Sequence, residues 1–166
     1  MVKIRPAEIS DAQALITLMK SQEGEANLIT EIGEFGFTLE QEIEWIERFA
    51  KAPNSVFLLA EVDGQIVGTC GCHGGSRKAD GHVARLGIAV HRDYRGQGIG
   101  SQLMQAALDW AQSTLVRRVE LSVFARNQDA IRLYERFGFT IEGQHKNSIC
   151  KRGEYIDTLT MARVLD

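Results

Sequence analysis

The fold is decided by one stretch of sequence, Leu86-Gly87-Ile88-Ala89-Val90-His91-Arg92-Asp93-Tyr94-Arg95-Gly96-Gln97-Gly98-Ile99-Gly100-Ser101. It begins with mostly apolar residues, which predict a strand, and continues into a loop with three alternating glycines. Apolar residues at helical spacing then predict a long helix. Glycines leave the backbone N–H groups of the loop uncovered, and the first helical turn adds unpaired N–H groups and a positive dipole end. The stretch therefore predicts a pyrophosphate site.

Two familiar phosphate-binding loops do not fit these residues. A dinucleotide fingerprint, G-x-G-x-x-G, requires a glycine where the chain has Ser101. A Walker loop requires a lysine before the final Ser or Thr, and Gly100 occupies that position. The pattern that remains is Arg95-x-x-Gly98-x-Gly100, placed between a strand that ends at Val90 and a long helix.

Outward from this stretch, the periodicity predicts the element order β-α-α-β-β-β-α-β-α-β-β. Capping boxes at Ser10 and Thr38 and the hairpin signal Asp63-Gly64 mark boundaries. The predicted strands cover residues 2–5, 55–62, 65–72, 82–90, 119–123, 139–142 and 154–164. The predicted helices cover 11–21, 39–50 (with Leu39, Ile43, Ile46 and Ala50 on one stripe), 99–111 and 130–137, and 22–37 is a loop.

These elements predict a single mixed α/β domain over residues 1–166. Helices separate strands only in part, so a purely alternating β/α fold is excluded and a mixed sheet with helices on both faces fits best. Strand 82–90 alternates little, which predicts burial on both faces. The composition, 44% apolar and 25% charged residues, is ordinary for a globular protein of 166 residues.

Charge and cysteine content exclude several function classes. The formal charge of −3 disfavours a nucleic-acid partner, and no apolar run is long enough for a membrane span. The N-terminus has no signal-peptide pattern, which indicates a cytoplasmic protein. Cys70 and Cys72 have no second ligand pair elsewhere, so we predict no metal site and interpret them as small apolar residues on one face of a strand.

The pattern Arg95-x-x-Gly98-x-Gly100 resembles the coenzyme motif Q/R-x-x-G-x-G/A of the GNAT superfamily of acyl-CoA-dependent N-acyltransferases. A later motif of the same superfamily is matched by Asn127-x-x-Ala130-x-x-Leu133-Tyr134-x-x-Phe137-Gly138-Phe139. The ending Gly153-Glu154-Tyr155-x-Asp157-x-x-x-Met161 is similar to the branch of bacterial L-amino-acid and phosphinothricin-type N-acetyltransferases. The resemblance implies a central, mostly antiparallel twisted sheet of about seven strands flanked by about four helices.

The resemblance also implies a set of coenzyme contacts for acetyl-CoA as co-substrate. The main-chain groups of Ile88, Ala89 and Val90 would pair with the pantetheine amides, and Asn127 would contact the pantetheine arm. Tyr134 would lie near the coenzyme sulfur. The loop amides that would hold the pyrophosphate belong to Arg95, Gly96, Gln97, Gly98, Ile99, Gly100 and Ser101.

The implied chemistry is direct attack of a neutral amine on the thioester, without a covalent enzyme intermediate. The Val90 N–H is the candidate oxyanion donor, and Tyr134 is the candidate acid for the leaving thiolate. Strand 82–90 carries no carboxylate, so the base is open. Glu31 is our first candidate for the base, and Glu34 and His82 are further candidates. Both glutamates are also expected to contact substrate. A water relay is the alternative to a side-chain base.

The sequence therefore predicts an acetyl-CoA-dependent N-acetyltransferase acting on a small primary amine, such as an amino acid. An enzyme that acetylates a protein N-terminus or lysine is the alternative within the fold, and a non-catalytic sensor of acyl-CoA is the alternative of another class. A homodimer is common among proteins of this resemblance, and strands 139–164 are the expected interface, although no residue demonstrates it.

Overall fold

The computed structural model describes residues 1–166 and has the predicted order of strands and helices. The strands are β1 (Val2–Pro6), β2 (Val56–Val62), β3 (Gln65–Gly74), β4 (Val83–Val90), β5 (Arg118–Phe124), β6 (Thr140–Lys151) and β7 (Glu154–Val164). The helices are α1 (Ala12–Ser21), α2 (Leu39–Lys51), α3 (Ile99–Gln112) and α4 (Gln128–Arg136). No helix is both long and apolar enough to cross a bilayer.

All seven strands form one sheet in the order β1-β2-β3-β4-β5-β7-β6. Every neighbouring pair is antiparallel except β4 and β5, which are parallel. The predicted mixed, mostly antiparallel sheet of seven strands with four helices is therefore confirmed.

The parallel pair is short, and this opens the sheet. β4 and β5 pair only through Val83–Arg85 and Arg118–Glu120. Beyond this point β4 continues beside β3 as far as Val90, while β5 continues beside β7 as far as Phe124. The two halves of the sheet therefore diverge, and a gap opens between the ends of β4 and β5.

Helices cover both faces of the sheet, as predicted. On one face, α3 and α4 bury a core of 22 residues that includes Leu103, Met104 and Tyr134. On the other face, α1 and α2 pack Leu15 and Ile46 against the first strands. Cys70 and Cys72 are fully buried in the first of these cores, which confirms that they are small apolar residues on one strand face.

Three local predictions are wrong in detail. β6 extends to Lys151, well past the predicted end at residue 142, because an edge strand exposed on both faces has no apolar alternation to reveal it. The predicted burial of β4 on both faces is also wrong. Arg85 and Gly87 are exposed while Ala84 and Leu86 are buried, so one face of the strand is open. The buried stripe of α2 is Glu42, Ile46 and Phe49, whereas Leu39 and Ala50 are exposed.

The first capping box also lies elsewhere. The chain enters α1 through a short 3-10 turn, where the Asp11 carboxylate accepts the Glu8 N–H at 2.8 Å and replaces the box predicted at Ser10. The Arg5 guanidinium holds that carboxylate through Nη1 and Nη2 at 2.7 and 2.8 Å, which lowers the pKa of Asp11. The Thr38 box of α2 and the Asp63-Gly64 turn, with both residues at positive φ, are as predicted.

Candidate active site

The loop between β4 and α3 presents an unbroken row of free backbone donors. None of the N–H groups of residues 96–101 has a hydrogen-bond partner within the chain, and the first bond of α3 runs from the Gln102 N–H to the Gly98 carbonyl at 3.1 Å. Six free donors at the positive end of a 14-residue helix form a site for an anion.

The glycines make this loop conformation accessible. Gly96 and Gly98 have φ of +74° and +79°, a region that other residues rarely adopt. A Cβ atom on Gly100 would lie 3.4 Å from Leu133 Cδ2, so the third glycine lets the first turn of α3 approach α4 closely.

The end of β4 points further polar groups into the gap. The His91 N–H donates to the Val67 carbonyl at 2.8 Å, and the Val83 carbonyl accepts from Gly75, so the odd-numbered residues of this strand bond to β3. Main-chain groups alternate sides along a strand, which turns those of Ile88 and Val90 toward the gap. Of the three predicted strand residues, Ala89 turns its groups to β3 instead.

Tyr134 lies on α4 and faces the core beside this gap. The residue is 6% exposed, and its ring packs near Phe139 at a centroid distance of 6.0 Å. Its hydroxyl makes no hydrogen bond within the chain. Burial, with a smaller contribution from the nearby Cys70, raises the pKa of Tyr134 to about 12, so the phenol stays protonated at neutral pH.

Asn127 caps α4 and retains a free donor. Its Oδ1 accepts the Ala130 N–H at 3.3 Å, which fixes the orientation of the amide group. Its Nδ2 has no partner within the chain and stays available to a ligand. The cap and the predicted contact to the pantetheine arm are therefore compatible.

Arg95 bridges the strand end and the loop between α1 and α2. Its Nε donates to the Val90 carbonyl at 2.9 Å, and its Nη2 contacts the Glu25 carboxylate. This loop, residues 22–37, contains Glu25, a residue that the sequence analysis did not single out. No sequence pattern could have identified it, because its partner lies 70 positions away along the chain.

Glu31 and Glu34 lie in the same loop but on the side of the β6–β7 turn. Glu31 Oε1 accepts the Arg152 N–H at 2.9 Å, and Oε2 forms an ion pair with Arg152 Nε at 3.4 Å. The Glu34 carboxylate accepts the Glu31 N–H at 2.7 Å. His82 is exposed just before β4, at the end of that strand opposite the glycine loop. The predicted coenzyme residues therefore lie around the gap, while Glu31 contacts Arg152 and Glu34 contacts the Glu31 N–H; their predicted roles stay predictions.

A sheet opened between a parallel pair, with a row of free N–H donors at the opening, is the architecture of an acyltransferase of the GNAT class. The chain belongs to the acetyltransferase (GNAT) family, whose family model matches residues 23–139. The resemblance stated from the sequence is thereby confirmed, and the protein is an acetyltransferase.

Similar proteins support this assignment. The L-amino acid N-acetyltransferase AaaT of Escherichia coli (strain K12) is 39% identical over 121 residues, which are 72% of this chain and 75% of that protein. The crystal structure of a GNAT-family acetyltransferase from Streptococcus pneumoniae has a TM-score of 0.95 and 30% identity, with 100% of both chains covered. A phosphinothricin acetyltransferase from Sinorhizobium meliloti, solved in complex with AcCoA, shares the fold, with a TM-score of 0.84, 20% identity and coverage of 99% of this chain and 88% of that chain.

Proposed function

We propose that this protein transfers an acetyl group from acetyl-CoA to the primary amino group of an amino acid or a similar small molecule. The observation that carries the proposal is the row of six free N–H donors, residues 96–101, at the mouth of the gap between β4 and β5. The E. coli relative, named as an L-amino acid N-acetyltransferase, supports the class of acceptor.

The chain's polar groups fit such a coenzyme in sequence along the gap. The N–H groups of residues 96–101 would bind its diphosphate, and the Val90 N–H and the Ile88 carbonyl would pair with the pantetheine arm, because the Val90 carbonyl already accepts from Arg95 Nε. A strand rises about 3.3 Å per residue, so these two residues extend the site about 7 Å into the gap. Asn127 Nδ2 would donate to the same arm from the opposite side.

Two groups of the chain would then assist the chemistry. Bound acetyl-CoA would supply the thioester that an amine attacks. The Ile88 N–H, which lies about 7 Å further from the diphosphate loop along β4 than the predicted donor Val90, would donate to the carbonyl oxygen as negative charge develops on it. Tyr134 would donate its proton to the departing sulfur, because burial raises the pKa of a thiol as well as that of a phenol, and a proton lost by the amine would restore the phenol. The amine loses two protons overall, of which one ends on the thiol and one reaches solvent.

The route of the second proton stays a prediction. Arg152 contacts both oxygens of Glu31, whereas Glu34 bonds the Glu31 N–H through one oxygen only. Neither carboxylate bonds to β4 or to the glycine loop, and we propose a water relay as the route.

Thermal unfolding tests the proposal. Acetyl-CoA at millimolar concentration should raise the melting temperature by several degrees. NAD and ATP should not, because neither has a pantetheine arm that could pair with β4. A thiol-release screen against amino acids, polyamines, aminoglycosides and peptides should then identify the acceptor class. An unchanged melting temperature with acetyl-CoA would contradict the proposal.

The same screen separates the alternatives. Activity confined to peptides would indicate a protein acetyltransferase, and coenzyme binding without thiol release from any amine would indicate a sensor of acyl-CoA.

A further inference from the structure

The middle of the sheet is open to solvent on the face opposite α3 and α4. β4 is the fourth of the seven strands, yet Arg85 and Gly87 on it are exposed, and so is Ser122 on β5. These three positions share a face, because residues two apart in a strand lie on the same side and Arg85 is paired with Glu120. Since α1 and α2 cover this face only beside the first strands, Arg85, Gly87 and Ser122 line an open trough.

Gly87 leaves the floor of this trough bare. It is paired with Gly71 on β3, where a Cβ atom would lie 3.5 Å from the Phe49 ring of α2. A Cβ on Gly87 would meet nothing within 4 Å. A glycine inside a strand is typical of a site where a ligand or another backbone approaches closely. Because no backbone lies over Gly87, the space above it is free for a ligand.

The trough begins where the gap opens. Arg85 and Glu120 are the last paired residues of β4 and β5 before the strands diverge. Ile88, the proposed oxyanion donor, lies three residues further along β4, about 10 Å from Arg85. The first turn of α3 and Tyr134 belong to the core on the other face of the sheet. An acceptor would therefore approach a thioester in the gap from the trough.

Arg85 has free hydrogen-bond donors at the closed end of the trough. Its side chain is 75% exposed, and only Nε is bonded, to Glu120 Oε1 at 3.1 Å. Arg118 donates to the other oxygen of Glu120 at 3.1 Å, and both of its Nη atoms bond to Glu142. Two arginines therefore share the charge of Glu120, and Arg85 keeps Nη1 and Nη2 for an anion.

Space for a ligand adjoins these nitrogens. Arg85 and Glu120 line a cavity of about 220 Å³ together with residues that include His73 and Asp80. The Asp80 carboxylate is engaged within its own turn, where Oδ1 accepts the Arg77 N–H at 2.8 Å. The cavity gives room for the remainder of a molecule that binds at Arg85.

We propose that Arg85 binds the α-carboxylate of the acceptor, which lies over Gly87 with its amino group toward the gap. The proposal rests on the proposed function and adds the residue that selects free amino acids from other amines. A guanidinium group binds a carboxylate through charge-assisted, parallel N–H bonds that a carboxamide cannot reproduce. The flexible side chain of Arg85 would span part of the distance to Ile88, and the acceptor would span the rest. The amines of a protein carry no carboxylate at this position.

The test compares acceptors that differ only in this charge. Each L-amino acid that releases thiol is paired with its own α-amide, and kcat/KM is measured for both. We expect the ratio of acid to amide to fall at least tenfold in Arg85→Gln, through loss of activity on the acid, with kcat/KM for the amide changed less than twofold. The acid and the amide differ in amine pKa, and the comparison of one ratio between two proteins cancels this difference.

Arg118→Gln is the matched control. It removes the other arginine from Glu120, but one whose three nitrogens are all bonded within the chain. Its ratio of acid to amide should stay within twofold of the wild-type ratio. An equal fall in both variants would overturn the proposal, because it would assign the effect to the charge of Glu120 and not to a contact with Arg85.

Gly87→Val tests the position of the acceptor independently. The added side chain meets no atom of the folded chain and suits a strand, so the variant should fold. It should raise the KM of acid and amide alike, at least tenfold, with the Kd of CoA changed less than twofold by calorimetry. An unchanged KM would show that the acceptor does not lie over Gly87 and would overturn the proposal.

The outcomes distinguish this proposal from the proposed function. Thiol release with an unchanged ratio in Arg85→Gln, or confined to amines without a carboxylate, keeps the acetyltransferase and overturns the role of Arg85. Absence of thiol release from every amine contradicts the enzyme, and calorimetry on protein saturated with free CoA then repeats the comparison of acid and amide. A fall in the ratio of affinities supports Arg85, whereas an unchanged ratio or no binding of amino acids overturns its role.

Discussion

At the scale of single residues, Tyr134 combines two properties that rarely occur together. It is buried in the larger core, yet its hydroxyl has no partner within the chain. Buried tyrosine hydroxyls ordinarily find a hydrogen-bond partner, so this one is available to a ligand. Its place beside Cys70 and the open end of the sheet agrees with the proposed role as donor to the coenzyme sulfur.

Replacement of Tyr134 by phenylalanine should separate turnover from binding. We expect kcat to fall about 100-fold, the lower range for loss of a general acid, because the departing sulfur loses its donor. The Kd of acetyl-CoA should change less than threefold, and stability should be nearly unchanged since the hydroxyl has no partner to lose. Steady-state kinetics measure kcat, and calorimetry measures the Kd of acetyl-CoA. An unchanged kcat would remove the acid role.

The raised pKa of Tyr134 predicts a loss of stability at alkaline pH. The phenol ionises near pH 10 in the unfolded chain but at about 12 in the folded protein, so the unfolded state loses its proton first. The contribution is fully present below pH 10 and is lost as the pH rises toward 12, by about 2–3 kcal/mol. Urea unfolding between pH 9 and 12 should show a steeper loss for wild type than for Tyr134→Phe, and parallel curves would contradict this prediction.

At the scale of elements, the glycine loop and α3 form one functional unit. The positive φ of Gly98 turns the chain into the helix, and the N–H groups of residues 96–101 on both sides of this turn have no partner within the chain. Local geometry therefore determines the anion site, and its disruption should affect binding more than it affects the rest of the fold.

Gly98→Ala tests whether the loop can lose coenzyme binding without a larger loss of stability. Gly64→Ala is the matched control. The two glycines have φ of +79° and +80°, and a Cβ at either position meets nothing within 4 Å. Each substitution should cost about 1–2 kcal/mol of stability from the left-handed backbone alone. Only Gly98→Ala should raise the Kd of acetyl-CoA, by about tenfold or more, as measured by calorimetry. Equal affinities in the two variants would remove the loop from the coenzyme site.

At the scale of the whole molecule, the sheet consists of two halves joined by a short parallel pairing. The loop of residues 22–37 spans these halves, because Glu25 contacts Arg95 on one side while Lys151 and Arg152 hold the same loop from the other. The site is therefore assembled from parts of the chain that meet only in the folded protein.

The sheet ends in two edge strands, β1 and β6, and the second of these belongs to the predicted homodimer interface. β6 is mostly exposed, and Ile141 on it is 50% exposed. An exposed strand edge is a template for pairing with a second chain. The homodimer stays a prediction that the structure of one chain does not test.

Sedimentation velocity checks this prediction. Wild-type protein at micromolar concentration should sediment as a dimer, and Ile141→Asp should raise the dimer Kd at least tenfold because it places a charge in the interface. Ile29→Asp, on a residue 63% exposed in the loop, is the control and should leave the dimer intact. A monomeric wild-type protein would contradict the prediction.

The sequence by itself determined the order of the elements and the glycine loop between β4 and α3. Both depend on local signals: the alternating glycines, the hairpin turn Asp63-Gly64 and the apolar spacing of α3 act within a few residues of one another. The family motifs are equally local, so the class of protein could be predicted before any contact was known.

Only the tertiary structure decided how the sheet opens and which acidic residue of the loop pairs with Arg95. The gap exists because β4 and β5 pair over just three positions, a feature of strand divergence that neither strand encodes alone. Glu31 binds Arg152, 121 positions away, while Glu25 meets Arg95. Carboxylates six residues apart in a polar loop look alike in sequence, and long-range ion pairs distinguish them only after folding.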